Sequence, residues 1–330
     1  MSVPPFLTVL PDQRSQDTFI NAIFKHPDPL GDAHSLWWPC KSPRAAVLFI
    51  PGTILIQQSL RSFLWILSRS GNPGLVEFYI PFLSALQNAK KRLVILAHAH
   101  INHTPGIVSP AAGHSVTIQV QAAIETLDSL KKHYDSIPIV IIGHSVGAYI
   151  TLQVLKSRPS IVSQVCLICP TISNIALTPN GRRLSWLFRP PLPFLVSKLS
   201  YLLRMVPSVL INTLFSDWPQ SQILVLNKLL QSPSSIHACL SMAHDEMENI
   251  LDLDPQILRN HHSVIRMLFV QGDDWVGREE SAIQRSFEGD PGLLKIVRRT
   301  DDVPHAFCIK HGDEVAAQCA EWLTFTDDSD

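Results

Sequence analysis

Residues 138–157 of the chain read PIVIIGHSVGAYITLQVLKS, and this stretch decides the fold. A short β-branched run precedes its centre, and apolar residues at helical spacing follow it. The centre has the pattern G-x-S-x-G, formed by Gly143, His144, Ser145, Val146 and Gly147. A serine on a sharp turn between strand and helix is held exposed above the sheet, and the glycines leave room for the neighbouring backbone. The stretch favours a nucleophile elbow with Ser145 at its tip over a purely structural turn.

Further apolar runs of strand length lie on both sides of this turn. They are continuous rather than alternating, which is typical of strands buried on both faces of a sheet. Between them, apolar residues recur at helical spacing in residues 116–134, 145–156 and 314–323. The alternation predicts an α/β fold with a doubly wound, mostly parallel sheet. The strand-like runs are residues 45–51, 92–97, 138–142, 164–169, 263–271 and 293–297.

The alternation stops at residues 177–255, where leucines, prolines and aromatic residues follow one another. Because this stretch lies between the fourth and fifth predicted strands, we expect an inserted helical cap within a single domain of residues 1–330. Aromatic residues flanked by basic ones are typical of a surface that lies on a lipid layer, and a lid core is the alternative interpretation. The basic residues are Arg182, Arg183, Arg189, Lys198 and Arg204.

Composition excludes several classes of protein. Of the 330 residues, 46% are hydrophobic and 17% are charged, which excludes a disordered chain. Lys and Arg total 27 against 28 Asp and Glu, so no basic surplus is available for nucleic acid. Residues 53–68 are too short for a membrane span, and residues 184–215 are interrupted by charges and prolines. The six cysteines and the absence of a signal-peptide pattern in residues 1–16 predict an intracellular protein with reduced thiols.

A nucleophilic serine needs a base that removes its proton and an acid that orients the base. In folds with an elbow of this kind, the order along the chain is Ser, then Asp or Glu, then His. His305, in VPHAF, follows the last strand-like run and precedes the final helix, so it is the predicted base. The acid should follow the preceding strand, where the sequence reads GDDWV, and spacing leaves Asp273 and Asp274 as alternatives.

Two other groups of residues have the composition of metal sites. His98, His100 and His103 lie near a strand end, but no carboxylate or cysteine set accompanies them, so we expect a loop that lines the mouth of the active site. Cys166 and Cys169 form a single C-x-x-C pair inside an apolar run, so we expect two buried strand cysteines. The sequence predicts neither a metal nor a cofactor.

The segments GHSVGAY, D-x-W-V and PHAF are accompanied by LTPNG at 177–181, FIPG at 49–52 and GNPGLVEFY at 71–79. Together these segments resemble the lipid droplet-associated hydrolase family of α/β-hydrolases. The resemblance spans most of the chain, from about residue 45 to 323. It implies that Asp273 is the acid, with Ser145 as nucleophile and His305 as base. It also implies a serine esterase or sterol-ester hydrolase role at intracellular lipid droplets.

The chain departs from the family pattern in one loop. The pattern I-P-G-N-P-G is uninterrupted in the family, whereas here the 19 residues 53–71 separate Gly52 from Asn72. An unspliced intron would explain this segment, and a real insertion that dips into a membrane is the alternative. The loop should supply the second backbone N–H of an oxyanion hole, the first being that of Val146. Asn72 follows Gly52 in the uninterrupted pattern and Thr53 follows it here, so these two residues are alternatives.

These observations predict a serine hydrolase that acts on hydrophobic esters of the sterol or acylglycerol class. Its partners should be the ester and, peripherally, the surface of a lipid droplet or of the endoplasmic reticulum. A droplet-bound structural or tethering protein with little turnover is the first alternative, because loss of one oxyanion donor costs about 10²–10³ in rate. A soluble, cytoplasmic small-ester hydrolase or thioesterase is the second alternative.

Overall fold

The computed structural model describes residues 3–11, 18–54, 72–73, 75–109, 113–287 and 292–324. Within these ranges, nine strands form one sheet and two short strands form a separate ladder. The sheet strands are β1 (Leu7–Val9), β2 (Ile20–Lys25), β3 (Asp32–Trp38), β4 (Ala45–Ile50), β7 (Leu93–His98), β8 (Ile139–His144), β9 (Val162–Ile168), β10 (Ile265–Val270) and β11 (Lys295–Arg299). The ladder consists of β5 (Thr53–Ile54) and β6 (Asn72–Pro73).

The sheet order is β1-β2-β3-β7-β4-β8-β9-β10-β11, and the six strands from β7 to β11 in this order run parallel. Every residue of β4, β7 and β8 is buried, as expected for central strands covered on both faces. All six strand-like runs of the sequence are strands, with ends shifted by at most three residues. The predicted mostly parallel α/β fold is confirmed.

Strands β1 to β3 extend the sheet in antiparallel pairing and had no counterpart in the sequence analysis. The apolar runs there are short because polar residues interrupt them, as in DAHSLWW of β3. These polar groups are buried with partners: the His34 ring contacts Asn21 Oδ1 at 2.6 Å, and Ser35 Oγ lies 3.4 Å from the His98 ring. Hydrogen bonds within the fold therefore permit a strand that hydrophobicity does not indicate.

Five helices flank the sheet: α1 (Ile80–Ala89), α2 (Val116–His133), α3 (Val146–Ser157), α10 (Glu279–Arg285) and α11 (Gly312–Trp322). Of these, α1 packs against α11, and α2 packs against α3. The predicted helices at 116–134, 145–156 and 314–323 correspond to α2, α3 and α11.

Six helices fill the chain between β9 and β10: α4 (Pro179–Phe188), α5 (Leu192–Leu199), α6 (Ser208–Leu214), α7 (Gln220–Leu230), α8 (Pro233–Asn249) and α9 (Pro255–Asn260). The longest of them, α8, contacts α4, α5, α7 and also α2. No helix in the described part of the chain is long and apolar enough to cross a membrane.

Candidate active site

The sharp turn predicted at Ser145 is present between β8 and α3. Ser145 has φ of 54° and ψ of −123°, a strained conformation for a residue with a side chain. A Cβ on Gly147 would lie 2.3 Å from the Ile50 carbonyl oxygen, and one on Gly143 would lie 2.3 Å from the Gly147 carbonyl oxygen. Only glycine fits at both positions, so the two glycines permit the close approach of α3 to β4 that holds the serine in place.

The structure brings Ser145, His305 and Asp273 together from the carboxyl ends of three parallel strands. His305 Nε2 lies 3.1 Å from Ser145 Oγ, and His305 Nδ1 lies 2.7 Å from Asp273 Oδ2. The His305 and Asp273 side chains are 9% and 4% exposed, so the pair is shielded from water. This arrangement places one imidazole nitrogen on the hydroxyl of Ser145 and a carboxylate oxygen on the opposite ring nitrogen, as a nucleophilic serine would require.

The structure shows which of the two neighbouring aspartates contacts His305. The second oxygen of Asp273, Oδ1, accepts the backbone N–H groups of Trp275 at 2.9 Å and Val276 at 3.3 Å. These bonds fix the carboxylate while Oδ2 faces His305. Asp274 instead contributes its backbone carbonyl, which accepts the Asn180 N–H at 3.0 Å. Asp273 is therefore the carboxylate that contacts the histidine ring.

A chain of hydrogen bonds joins the elbow to two loops of the site. The Gly52 N–H donates to the Tyr79 hydroxyl at 3.1 Å, and this hydroxyl contacts His144 Nδ1 at 2.8 Å. His144 Nε2 lies 3.0 Å from the backbone carbonyl of His305. A carbonyl only accepts, so Nε2 carries the proton and Tyr79 donates to Nδ1.

Burial and the neighbouring His305 hold the pKa of His144 well below its usual value, which keeps this ring neutral. A neutral ring can accept from Tyr79 and donate to the His305 carbonyl at the same time. His144 thereby links the loop that carries the predicted base to the loop that follows β4.

The expected oxyanion donors occupy unequal positions. Val146 is the first residue of α3, so its N–H is one of the donors that have no partner within the helix. The positive end of the helix dipole therefore lies at the site. Thr53 directly follows Gly52, and its side chain lines a cavity that also contains Ser145. The backbone of Asn72 pairs with Ile54 across the β5–β6 ladder. Residues 55–71, most of the predicted insertion 53–71, lie outside the described residues.

The histidines near the end of β7 do not line the mouth of the site, so that expectation was wrong. His98, His100 and His103 are at most 4% exposed. Burial lowers the pKa of His100 to about 4, and its Nε2 lies 3.0 Å from the Pro51 carbonyl oxygen. A neutral ring can donate to this carbonyl, so His100 supports the loop before Gly52 from within the core.

Metal-ligand atoms come within 4.8 Å of one another at one place in the described residues, formed by His144, Cys169 and His305. Burial, reinforced by the charge of Asp273, holds the pKa of Cys169 well above its usual value. A protonated thiol is a poor metal ligand, and both histidines have other hydrogen-bond partners. Cys166 is also buried, and burial raises its pKa to about 12, so both are inert interior cysteines.

Three further residues lie at this site that no sequence pattern indicates. Tyr79 lies inside the quoted segment GNPGLVEFY, but nothing in its spacing indicates a contact with the elbow. Thr171 follows β9, and Glu246 lies in the acidic stretch HDEMEN of α8, which has the composition of a solvated helix face. Both are buried, at 4% and 5% exposure.

A sequence profile described as lipid-droplet associated hydrolase matches residues 62–308, which is most of the chain. The chain belongs to this family. A human lipid droplet-associated hydrolase is 28% identical over 279 residues, covering 77% of this chain and 82% of that protein. A relative of the same name from Dictyostelium discoideum is also 28% identical, covering 77% of this chain and 86% of that protein. The predicted family is thus confirmed, and the chain is a hydrolase of this family.

Solved structures of low sequence identity share the fold. A mutant haloalkane dehalogenase from Agrobacterium tumefaciens matches with a TM-score of 0.61 and 16% identity, covering 92% of this chain and 97% of that one. A thermophilic esterase from Thermogutta terrifontis matches with a TM-score of 0.56 and 15% identity, covering 93% of this chain and 100% of that one. The family member described here therefore has the α/β-hydrolase fold.

Proposed function

We propose that the protein is a serine ester hydrolase in which Ser145 is the nucleophile, His305 the general base and Asp273 the orienting acid. The observation that carries this proposal is the continuous contact from Ser145 Oγ to His305 Nε2 and from His305 Nδ1 to Asp273 Oδ2, at 3.1 Å and 2.7 Å. Side chains at these distances can pass the serine proton to the ring while the carboxylate stabilises the imidazolium that forms.

The reaction then has two steps. Ser145 Oγ attacks the ester carbonyl as its proton moves to His305 Nε2, and the tetrahedral intermediate collapses when His305 returns that proton to the leaving alcohol oxygen. The acyl group is now bound to Ser145. Water, deprotonated by His305, attacks the acyl-enzyme and releases the fatty acid and the free serine. The Val146 N–H stabilises the oxyanion of both intermediates. In this chain Thr53 stands directly after Gly52, and its backbone N–H is the candidate for the second donor.

Several features of residues 177–255 support a cap that rests on a lipid surface. Large apolar side chains of this segment are strongly exposed: Trp186 at 54%, Phe194 at 52%, Leu202 at 59% and Met205 at 81%. The ammonium group of Lys198 lies 5.3 Å from the centre of the Phe194 ring, so a basic group accompanies the apolar surface. Basic side chains can contact headgroups while aromatic rings insert below them.

Together with the family name, this surface supports peripheral association with lipid droplets and esters of the sterol or acylglycerol class as substrates. A droplet-bound structural or tethering protein is the second candidate. The interruption of the oxyanion loop directly after Gly52 favours it, because an enzyme without the second donor is slow.

Labelling with a fluorophosphonate probe tests the proposal, since the probe reacts only with an activated serine. The unaltered chain, a chain without residues 53–71 and the Ser145→Ala variant of each should be compared by intact mass. We expect labelling that disappears in both Ser145→Ala variants. Labelling of the shortened chain alone would identify residues 53–71 as the cause of an inactive oxyanion loop. Folded proteins that do not react in either form would favour the tethering function.

A further inference from the structure

A small cavity beside the nucleophile is lined by two kinds of side chain. Ser145 lies on its wall together with the apolar residues Ile175, Phe188 and Met247. The polar side chains on the wall come from four separate parts of the chain: Thr53 on β5, Thr171 after β9, Glu246 on α8 and Trp275 after β10. Side chains from separate elements converge on one space, as they do in ligand sites.

The polar atoms on this wall are buried without partners. Glu246 Oε1, Thr171 Oγ1 and Trp275 Nε1 form no hydrogen bond within the part of the chain that the structure describes. Their residues are 5%, 4% and 7% exposed. Buried polar atoms are nearly always paired in folded proteins, because each unpaired one loses its hydration without compensation. Thr53 Oγ1, on the same wall, is also without a partner among these residues, so four such atoms surround one space beside Ser145 and point to a polar ligand group.

The carboxyl group of Glu246 is suited to neutral hydrogen bonding. Burial raises the pKa of Glu246 to about 8, and the negative charge of Asp245 also raises it. The Thr53 hydroxyl beside the carboxyl lowers this pKa, although it forms no well-aligned hydrogen bond with it. A carboxyl that keeps its proton at neutral pH offers both a donor and an acceptor. It also avoids placing an unpaired negative charge beside the oxyanion that forms on the substrate.

We propose that Glu246, Thr171 and Trp275 bind a free hydroxyl of the substrate, so that the preferred esters are partial acylglycerols rather than sterol esters. This inference rests on the proposed function of Ser145 and narrows its substrate class.

The chemistry of the three groups selects a hydroxyl. The Trp275 N–H only donates, whereas Glu246 and Thr171 can also accept. A hydroxyl can accept the Trp275 N–H and at the same time donate to Glu246 Oε1 or Thr171 Oγ1, whereas an ester oxygen can only accept. A sterol ester or a triacylglycerol carries no free hydroxyl, so its binding would leave the acceptor atoms of this wall without a donor. Sites built in this way discriminate strongly against ligands that lack the hydroxyl.

A matched pair of esters tests the proposal: 2-hydroxypropyl oleate and propyl oleate, which differ only in the hydroxyl. Both would be presented in the same detergent micelles to the full chain, and kcat/KM would be compared. We expect a preference of about 10- to 100-fold for the hydroxy ester, which is what one or two well-placed hydrogen bonds supply. Glu246→Met should reduce this preference to about threefold or less, whereas Glu246→Gln, which keeps a donor and an acceptor, should retain most of it.

Glu248→Met is the matched control, because Glu248 lies on the same helix but is exposed to solvent. Its preference should equal that of the unaltered chain. Equal hydrolysis of both esters by the unaltered chain would overturn the proposal and leave the proposed function of Ser145 intact. A preference that survives in Glu246→Met would also overturn it.

Fluorophosphonate labelling of the same samples separates the two proposals. Labelling of Ser145 without hydrolysis of either ester would contradict the substrate class and keep the activated serine. Absence of both labelling and hydrolysis in folded protein would contradict the proposed function, and this inference with it.

Discussion

The two halves of the candidate site differ in whether their buried polar atoms are hydrogen-bonded. On the triad side, formed by Ser145, His305, Asp273 and His144, both nitrogens of each histidine ring and both oxygens of Asp273 have partners. On the pocket side, Glu246 Oε1, Thr171 Oγ1 and Trp275 Nε1 have none within the described residues. A paired half is rigid before substrate arrives, which suits groups that move protons, and an unpaired half gains its hydrogen bonds only when a ligand binds. Under the two proposals, the paired half carries the chemistry and the unpaired half binds the substrate.

The largest effect should come from breaking a pair on the triad side. Asp273→Asn should lower kcat by about 10⁴-fold, because the amide favours the wrong tautomer of His305. Asp274→Asn is the matched control and should change kcat by less than about threefold, since it is the backbone carbonyl of Asp274 that is engaged at the site. Initial rates with a soluble ester measure both variants. Equal losses in the two variants would contradict the assignment of the acid.

Replacing Glu246 on the pocket side should change the free energy of unfolding by an amount that depends on pH. In the unfolded chain Glu246 loses its proton near pH 4.5, whereas in the folded chain it keeps it to about pH 8. The stabilisation from this group is complete below the lower value and is lost as the pH rises to the upper one. The free energy of unfolding of Glu246→Gln should therefore rise, relative to that of the unaltered chain, by roughly 1 kcal/mol per pH unit between pH 5 and 8. Above pH 8 the difference between the two proteins should stay constant.

Urea unfolding at pH 5, 6, 7, 8 and 9 measures this difference, with Glu248→Gln as the exposed control. A difference that does not change with pH would mean that Glu246 is ionised in the folded protein. That result would contradict the neutral pocket, although it would leave the triad geometry untouched.

Outside the pocket, the apolar cap surface should respond to polar substitution with weaker lipid binding. Replacing both Phe194 and Leu202 by serine should weaken partition onto phospholipid-coated triolein droplets about tenfold, because both side chains are more than half exposed and lose their insertion energy. Val9→Ser on β1 is the control, since it is also exposed but lies outside residues 177–255. Flotation measures the bound fraction. Equal flotation of all three proteins would exclude this surface as the contact.

The smallest loss of kcat should follow from removing a hydrogen bond that positions the triad side while keeping Ser145, His305 and Asp273. Tyr79→Phe removes the hydroxyl that joins Gly52 to His144, and we expect kcat to fall about fivefold with little change in KM. The split between kcat and KM distinguishes a positioning role from a loss of folded protein. A rise in KM with kcat unchanged would mean that Tyr79 contributes to substrate binding rather than to positioning His144.

Sequence reasoning was sufficient where the chemistry needs particular residues at particular turns. Gly143 and Gly147 are dictated by backbone contacts, and Ser145 and His305 by their places after strands, so all four could be named in advance. The choice of Asp273 over Asp274 needed either the family resemblance or the 2.7 Å contact itself.

The rest depends on contacts between distant parts of the chain, which a local pattern does not contain. Polar residues of β3 find partners on other strands, so the strand has no continuous apolar signal. Glu246 sits in an acidic stretch but faces inward, because α8 packs over the site and turns this one carboxyl into the cavity. His98, His100 and His103 cluster in sequence, yet the core buries each of them.

The proposed mechanism requires a covalent acyl-enzyme at Ser145, which can be trapped. The protein would be mixed with 2-hydroxypropyl oleate, quenched in acid during turnover and digested, and the peptide that contains Ser145 would be analysed by mass spectrometry. We expect an oleoyl group on Ser145 that accumulates before steady state and is absent from Ser145→Ala. Release of oleate without such an adduct, at a rate that Ser145→Ala retains, would contradict this mechanism.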